Sequence, residues 1–293
     1  MTGPNPSGEA TECSKRPVRG GAAQGELPAT NTVIRVIVSL IDSGLGMLTT
    51  GAWLRRLRPE LDLLLQLDPD GAPWGPKSEP WLVDRVLGAT RRAIDLGAEV
   101  IVIPCNTASV SALEQVRAEV GPAVPVIGTA PAIKPAAAAC STVAVWATAA
   151  TTASRYQADL IARFGGEAEV TGVACHGLAD AIDRGDPPGI AEAIEKAAAL
   201  TPPGTEGVVL GCTHYPLVMD AILAALPPGV RLFDSAEAVA VQSLRRMDAL
   251  GRPAGGSGTV TVLNSGRPGA LPASAAAFEA GLVLGAAVEV SAT

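Results

Sequence analysis

The chain reads as an α/β protein with largely parallel sheets, divided into two similar halves that face each other across a cleft. Two observations predict this. From Thr32 onward, short β-branched runs alternate with longer amphipathic or Ala-rich segments, the pattern of strands that need helices on both faces. Two strand endings of the same cast, Val100-Ile-Val-Ile-Pro-Cys105 and Gly207-Val-Val-Leu-Gly-Cys212, also lie 107 residues apart. Each is an apolar strand, a breaker, a Cys and then small hydrogen-bonding residues leading into a helix.

The elements follow in order. Met1 to about Thr30 is rich in Gly, Pro, Ser and charge and lacks the apolar core of a signal peptide, so a disordered tail is expected there. Val33–Ile41 is a nearly continuous apolar run ending in Asp42-Ser43-Gly44, and a helix is predicted from about Leu48 to Arg58. The apolar segment Leu61–Leu67 precedes Asp68-Pro69-Asp70-Gly71, a loop by composition. Ser78–Leu96 has helical periodicity, with Gly97 as its stop. Val100–Ile103, Val124–Ile127, Val143–Trp146, Ala168–Val173, Gly207–Leu210 and Val230–Phe233 read as buried strands. Cys140 falls in an Ala-rich helical stretch, where it is a small buried hydrophobe.

Composition narrows the function classes. With 48% hydrophobic and 17% charged residues, global disorder is excluded. A net charge of -7 argues against nucleic acid or an anionic membrane as partner. It also requires that any anionic substrate be held by local donors. No run of 18 strongly apolar residues occurs, and Ala136–Ala153 is too weakly hydrophobic to span a bilayer. Five cysteines without a CxxC pair, in a chain too large to need disulfide staples, point to a reducing cytoplasm.

In parallel sheets the chemistry sits beyond the carboxyl ends of strands, where unpaired helix N–H groups await a ligand. Three endings are polar: Asp42-Ser43-Gly44, Cys105-Asn106-Thr107 and Cys212-Thr213-His214. A thiol titrates near 8.5, lower at a helix N-terminus. One thiolate and one thiol on opposite sides of a carbon take a proton from one face and deliver one to the other, inverting the centre. No GxGxxG or GxxxxGK[ST] loop is present, and none of the four lysines (Lys15, Lys77, Lys134, Lys196) stands at a strand end, so neither nicotinamide nor pyridoxal is implied. Two rival readings remain open. Cys105, Cys175, His176, Cys212 and His214 are candidate zinc ligands, although only Cys-His and Cys-x-His spacings occur where structural zinc favours close pairs. A single nucleophilic cysteine with His214 as base is the other, and it leaves the second strand-end cysteine unexplained.

At these residues the sequence resembles the cofactor-independent aspartate/glutamate racemase superfamily, and within it the glutamate racemases. Asp42-Ser-Gly-Leu-Gly is similar to DSGxG, Pro73-Trp-Gly-Pro-Lys to PYGxK, Pro104-Cys-Asn-Thr-Ala-Ser to the CNTA motif, Pro125-Val-Ile-Gly to PVIG, and Gly211-Cys-Thr-His-Tyr-Pro-Leu to GCTHYP. The match covers about residues 33 to 285.

The resemblance implies that Cys105 and Cys212 are the acid/base thiols, with Asp42 assisting the first and His214 the second. Asp180 falls where the family commonly has a glutamate near the second thiol. Ser43, the backbone around Trp74 and Gly75, Asn106, Thr107, Thr148 and Thr213 would bind the substrate's carboxylates and ammonium. Nearly all of these are neutral donors, as the net charge requires. The implied fold is two flavodoxin-like subdomains, about 31–130 with 236–293 and about 131–235. The implied activity is interconversion of L- and D-glutamate for the cell wall, with no cofactor and no metal, in a homodimer. Departures from the pattern are Trp74 for Tyr, Met47 for the last Gly of DSGxGG, Ala147-Thr148 and Ala150-Thr151 for Gly-Thr pairs, and His176 beside Cys175. They leave open a sister activity on aspartate, a hydantoin or another small acid, or a non-catalytic binder of acidic ligands.

Overall fold

The computed structural model describes residues 1–3, 36–251 and 255–287. The expected tail beyond residue 3, with Cys13, lies outside the described residues. Ten strands alternate with helices: β1 (Ile37–Ile41), β2 (Asp62–Leu67), β3 (Ala98–Ile103), β4 (Val126–Gly128), β5 (Thr142–Ala147), β6 (Glu169–Ala174), β7 (Gly207–Leu210), β8 (Arg231–Phe233), β9 (Val260–Asn264) and β10 (Arg267–Gly269). They form two sheets, in the orders β10-β9-β2-β1-β3-β4 and β6-β5-β7-β8. Every pairing is parallel except that of β9 with β10.

The apolar runs become interior strands because both faces are covered. All six residues of β2 and four of five in β1 are buried. Each buried Leu or Val there contributes about 1.5–3 kcal/mol against staying in water. Gln66, a polar residue inside β2, is accommodated because its side-chain amide nitrogen finds partners: Nε2 donates to Ser39 Oγ and to Ala89 O, each at 3.0 Å.

The helix Glu79–Asp95 buries Leu82, Val86, Thr90 and Ala93, one stripe at spacings of four, four and three. Pro80 fits its first turn, where no N–H is needed. It ends as expected at Gly97, whose φ of +84° favours a residue without Cβ. Predicted strands and helices agree with the observed bounds to within two residues over the described chain. Cys140 is buried, but it is the first residue past the helix Ile133–Ala139 rather than inside it. The strands β9 and β10 were not among the expected ones. They extend the first sheet beside β2, and the Val-Thr-Val-Leu alternation at 260–263 is the signal for β9.

Candidate active site

Parallel pairing brings the polar strand endings to one level. β1 delivers Asp42 and Ser43, β3 delivers Cys105, β5 delivers Thr148, β6 delivers Cys175 and His176, and β7 delivers Cys212 through His214. A cavity of about 270 Å³ lies there, and every site residue expected from sequence lines it except Asp42. Asp42 is fully buried beside the wall. The two motifs are tied together by Asn106, whose Nδ2 donates to Gly211 O at 2.8 Å. Asn106 lines the cavity, and its Oδ1 is buried without a partner among the described residues.

Cys105 caps the helix Asn106–Val120 and is 7% exposed. Its thiol titrates well above the ordinary range because it is buried and because the negative Asp42 is nearby. This reverses the sequence expectation of a lowered pKa. Backbone N–H groups at the helix start favour the thiolate, but burial plus a like charge outweigh them. Asp42 itself is pushed up to about 6, by burial first, with the positive His214 pulling the other way. Its Oδ1 accepts from Ser43 N at 2.6 Å and Ser43 Oγ at 3.3 Å.

Around Cys212 the arrangement differs. The residues after it form the short 3-10 turn Tyr215–Val218, which runs directly into the α-helix Met219–Ala225. His214 Nδ1 stands 3.7 Å from Cys212 Sγ, and its Nε2 stands 3.0 Å from Asp183 Oδ1. Burial disfavours the imidazolium, yet the Asp183 charge and hydrogen bond prevail and hold the His214 pKa well above its usual value. Burial likewise works to raise Asp183, and the His214 charge brings it below the usual carboxylate range.

Asp183 is thus the carboxylate that reaches the imidazole. Asp180, the residue picked from sequence, lines the cavity but makes no such contact; it sits one turn earlier in the helix Leu178–Arg184. Asp183 Oδ1 also accepts from Leu45 N at 2.8 Å. A Cβ on Gly44 would stand within 2.8 Å of the Asp183 carboxylate, so the glycine allows that approach. Sequence reasoning picked Asp180 and missed Asp183; the signal that could have found it is its place one helical turn further on in Asp180-Ala-Ile-Asp183.

The remaining expected binders divide into two kinds. Ser43, Thr107 and Thr213 present hydroxyls on the wall. Thr148 is engaged locally, its Oγ1 2.9 Å from Thr151 Oγ1 and accepting from Thr151 N. The Trp74 indole is buried and donates to Asp68 Oδ2 at 2.9 Å, and Asp68 is paired in turn with Arg85. The ring is therefore held in the packed interior, and Trp74 and Gly75 meet the cavity as a chain segment. Among the described residues, no Lys or Arg lines the cavity. Cys175 is buried, with its thiol pushed up to about 12 by desolvation, while His176 is exposed at the wall. Among the described residues, no three His, Cys, Asp or Glu side chains are grouped so as to hold a metal ion.

Comparison with known proteins places this geometry. Residues 70–243 match the family model described as Asp/Glu/Hydantoin racemase. The chain is 35% identical over 238 residues to the glutamate racemase of Herpetosiphon aurantiacus, covering 79% of this chain and 93% of that one. It is 39% identical over 222 residues to the glutamate racemase of Salmonella gallinarum, covering 73% and 78%. Among solved structures, Escherichia coli glutamate racemase in complex with L-glutamate and the activator UDP-MurNAc-ala superposes with a TM-score of 0.70 at 29% identity, over 83% of this chain and 92% of that one. The Thermus thermophilus glutamate racemase in complex with β-chloro-D-alanine superposes at 0.66 and 30% identity, over 87% and 94%.

Proposed function

The chain belongs to the Asp/Glu/hydantoin racemase family, and from that premise we propose that it interconverts L- and D-glutamate by passing protons between two cysteines. It is an amino-acid racemase, an isomerase, and its D-glutamate supplies peptidoglycan synthesis. The observation that carries the mechanism is the single cavity shared by Cys105 and Cys212, each with its own ionisable partner.

The chemistry follows from those partners. In one direction Asp42 takes the Cys105 proton, and the resulting thiolate removes the α-proton of the bound amino acid. Cys212, beside the His214 imidazolium, gives its proton to the opposite face, and the reverse reaction exchanges the roles. Negative charge grows on the α-carboxylate as the proton leaves. Preset neutral dipoles stabilise it without reorganisation, and the Ser43, Thr107 and Thr213 hydroxyls with the Trp74–Gly75 backbone supply them. Asn106, at the same wall, belongs with these substrate-binding residues. Thr148 and Asp180 complete the wall.

The two sheets are taken as two subdomains, 31–130 with 236–293 and 131–235, a division supported by the membership of β1–β4, β9 and β10 in one sheet and β5–β8 in the other. No helix among the described residues is long and apolar enough to cross a membrane. A cytoplasmic location goes with this reading, supported by four unpaired cysteines among the described residues, and a homodimer is the expected assembly.

The test is exchange of the α-hydrogen in deuterated water, with glutamate and aspartate offered separately. Exchange and racemisation with glutamate are expected. Exchange with aspartate alone would transfer the mechanism to a different substrate, and exchange with neither would remove it.

A further inference from the structure

A racemase that uses two thiols finishes each turnover in the wrong state for repeating it. When Cys105 has taken the α-proton and Cys212 has given one, Cys105 is a thiol and Cys212 a thiolate. One proton must return from the first to the second before the same enantiomer can react again. Solvent can provide this return, or the protein can.

The residue that matters here is Gly46. Its backbone has φ -57° and ψ -27°, ordinary right-handed helical values that any residue adopts, so conformational freedom does not explain a glycine. Space does. A Cβ there would stand 2.7 Å from Asp42 Oδ2 and 2.8 Å from His214 Nδ1, and would also crowd Thr213 Oγ1. The helper of the first thiol and the helper of the second therefore converge over one missing side chain. Asp42 Oδ2 and His214 Nδ1 are separated by no more than twice the larger of those distances, a gap that no hydrogen bond closes and that a small side-chain movement spans. Asp42 Oδ2 is buried without a hydrogen-bond partner among the described residues. His214 Nδ1 is the same atom that faces Cys212 Sγ at 3.7 Å.

We propose that Asp42 and His214, brought together over Gly46, form an internal proton-return path from Cys105 to Cys212. The proposal rests on the two-thiol reading above. Cys212 thiolate takes the proton on His214 Nδ1; the neutral imidazole, still donating through Nε2 to Asp183, takes the proton of Asp42; and Asp42 carboxylate takes that of Cys105. The sum is one proton moved from Cys105 to Cys212, with Asp42 and His214 returned to their starting forms. An Asp42 carboxyl that titrates at about 6 is suited to both accepting and releasing a proton near neutrality. Thr213 Oγ1 provides a further hydroxyl at the same point.

The test separates return from chemistry. In Gly46→Ala the added methyl presses on both Asp42 and His214, so first-turnover exchange of the α-hydrogen is expected to slow as well, and the return step is read as the further fall of steady-state kcat below that first-turnover rate. Steady-state kcat at saturating substrate is expected to fall about tenfold or more, within the range that a positioned acid/base group supplies. Added imidazole buffer would restore it. In the native protein, kcat at saturating substrate should not respond to buffer concentration. A native kcat that rises with buffer would overturn the internal path, as would a Gly46→Ala protein with unchanged kcat. If the alanine protein does not fold, the native buffer dependence decides alone. Absence of first-turnover exchange in the native protein would instead count against the two-thiol reading.

Discussion

Cys105 and Cys212 occupy equivalent positions, each one residue beyond a parallel strand and its breaker, and their surroundings are opposite in almost every other respect. Cys105 is buried at the start of a 15-residue helix beside a carboxylate. Cys212 is half-buried ahead of a 3-10 turn beside an imidazole held by a second carboxylate. The strand end places a thiol, and the neighbouring side chain decides whether that thiol begins as proton donor or acceptor. Proton transfer across one carbon needs one thiol and one thiolate at a time.

The largest test of this contrast removes a thiol. Cys105→Ser and Cys212→Ser should each lower glutamate racemisation by at least about 10³-fold, since a poorly acidic hydroxyl replaces a positioned acid/base group. Full activity in either protein breaks the pairing.

Asp42→Asn should cut kcat by about 10²-fold or more while making the fold more stable. The sign follows from linkage. A folded pKa of about 6 against the ordinary carboxylate value of 3.8 means that the protonated form is favoured by folding. The associated stability is full below pH 3.8 and is lost as pH rises through 6, so that ionised Asp42 costs the fold about 3 kcal/mol at neutrality. The amide avoids that cost, so thermal unfolding at pH 7 should move up, and a lower midpoint would contradict the assignment. For the same reason native kcat/KM should decline on the acid side with an apparent pKa near 6.

On the second thiol's side, Asp183→Asn should lower kcat by about tenfold to a hundredfold and shift the alkaline limb of the pH profile toward lower pH. His214 then loses the charge that holds its pKa up. Asp180→Asn should alter kcat by less than about threefold, because it lacks that contact; the reverse ranking would restore Asp180 as the helper. The smallest effect is expected at Trp74→Phe. It deletes the hydrogen bond to Asp68 at a cost of about 1–3 kcal/mol in stability, raising KM for glutamate more than it lowers kcat.

How much of this was legible in the sequence depended on distance along the chain. The strands β3, β5 and β7, the helix Glu79–Asp95 and its stop at Gly97 were readable because each is encoded by its own apolar period and breaker. Cys105 with Asn106, and Cys212 with His214, were readable because motif partners are adjacent in sequence. The strands β9 and β10 were not, since β9 joins the first sheet by pairing with β2 almost two hundred residues earlier and β10 joins it only through β9.

The sequence by itself determined the alternation of strands and helices, the two thiols, and a cavity built from neutral donors, because local periodicity and contiguous motifs carry that information. Only the tertiary structure decided between Asp180 and Asp183. Three residues along a helix amount to about 4.5 Å, and that displacement sets which carboxylate meets His214 and the Leu45 N–H. It also decided that the Cys105 pKa rises rather than falls, because burial depends on what the rest of the chain places over the thiol. The convergence of Asp42 and His214 over Gly46 belongs to the same class: residues 172 positions apart are brought together by packing that no local pattern records.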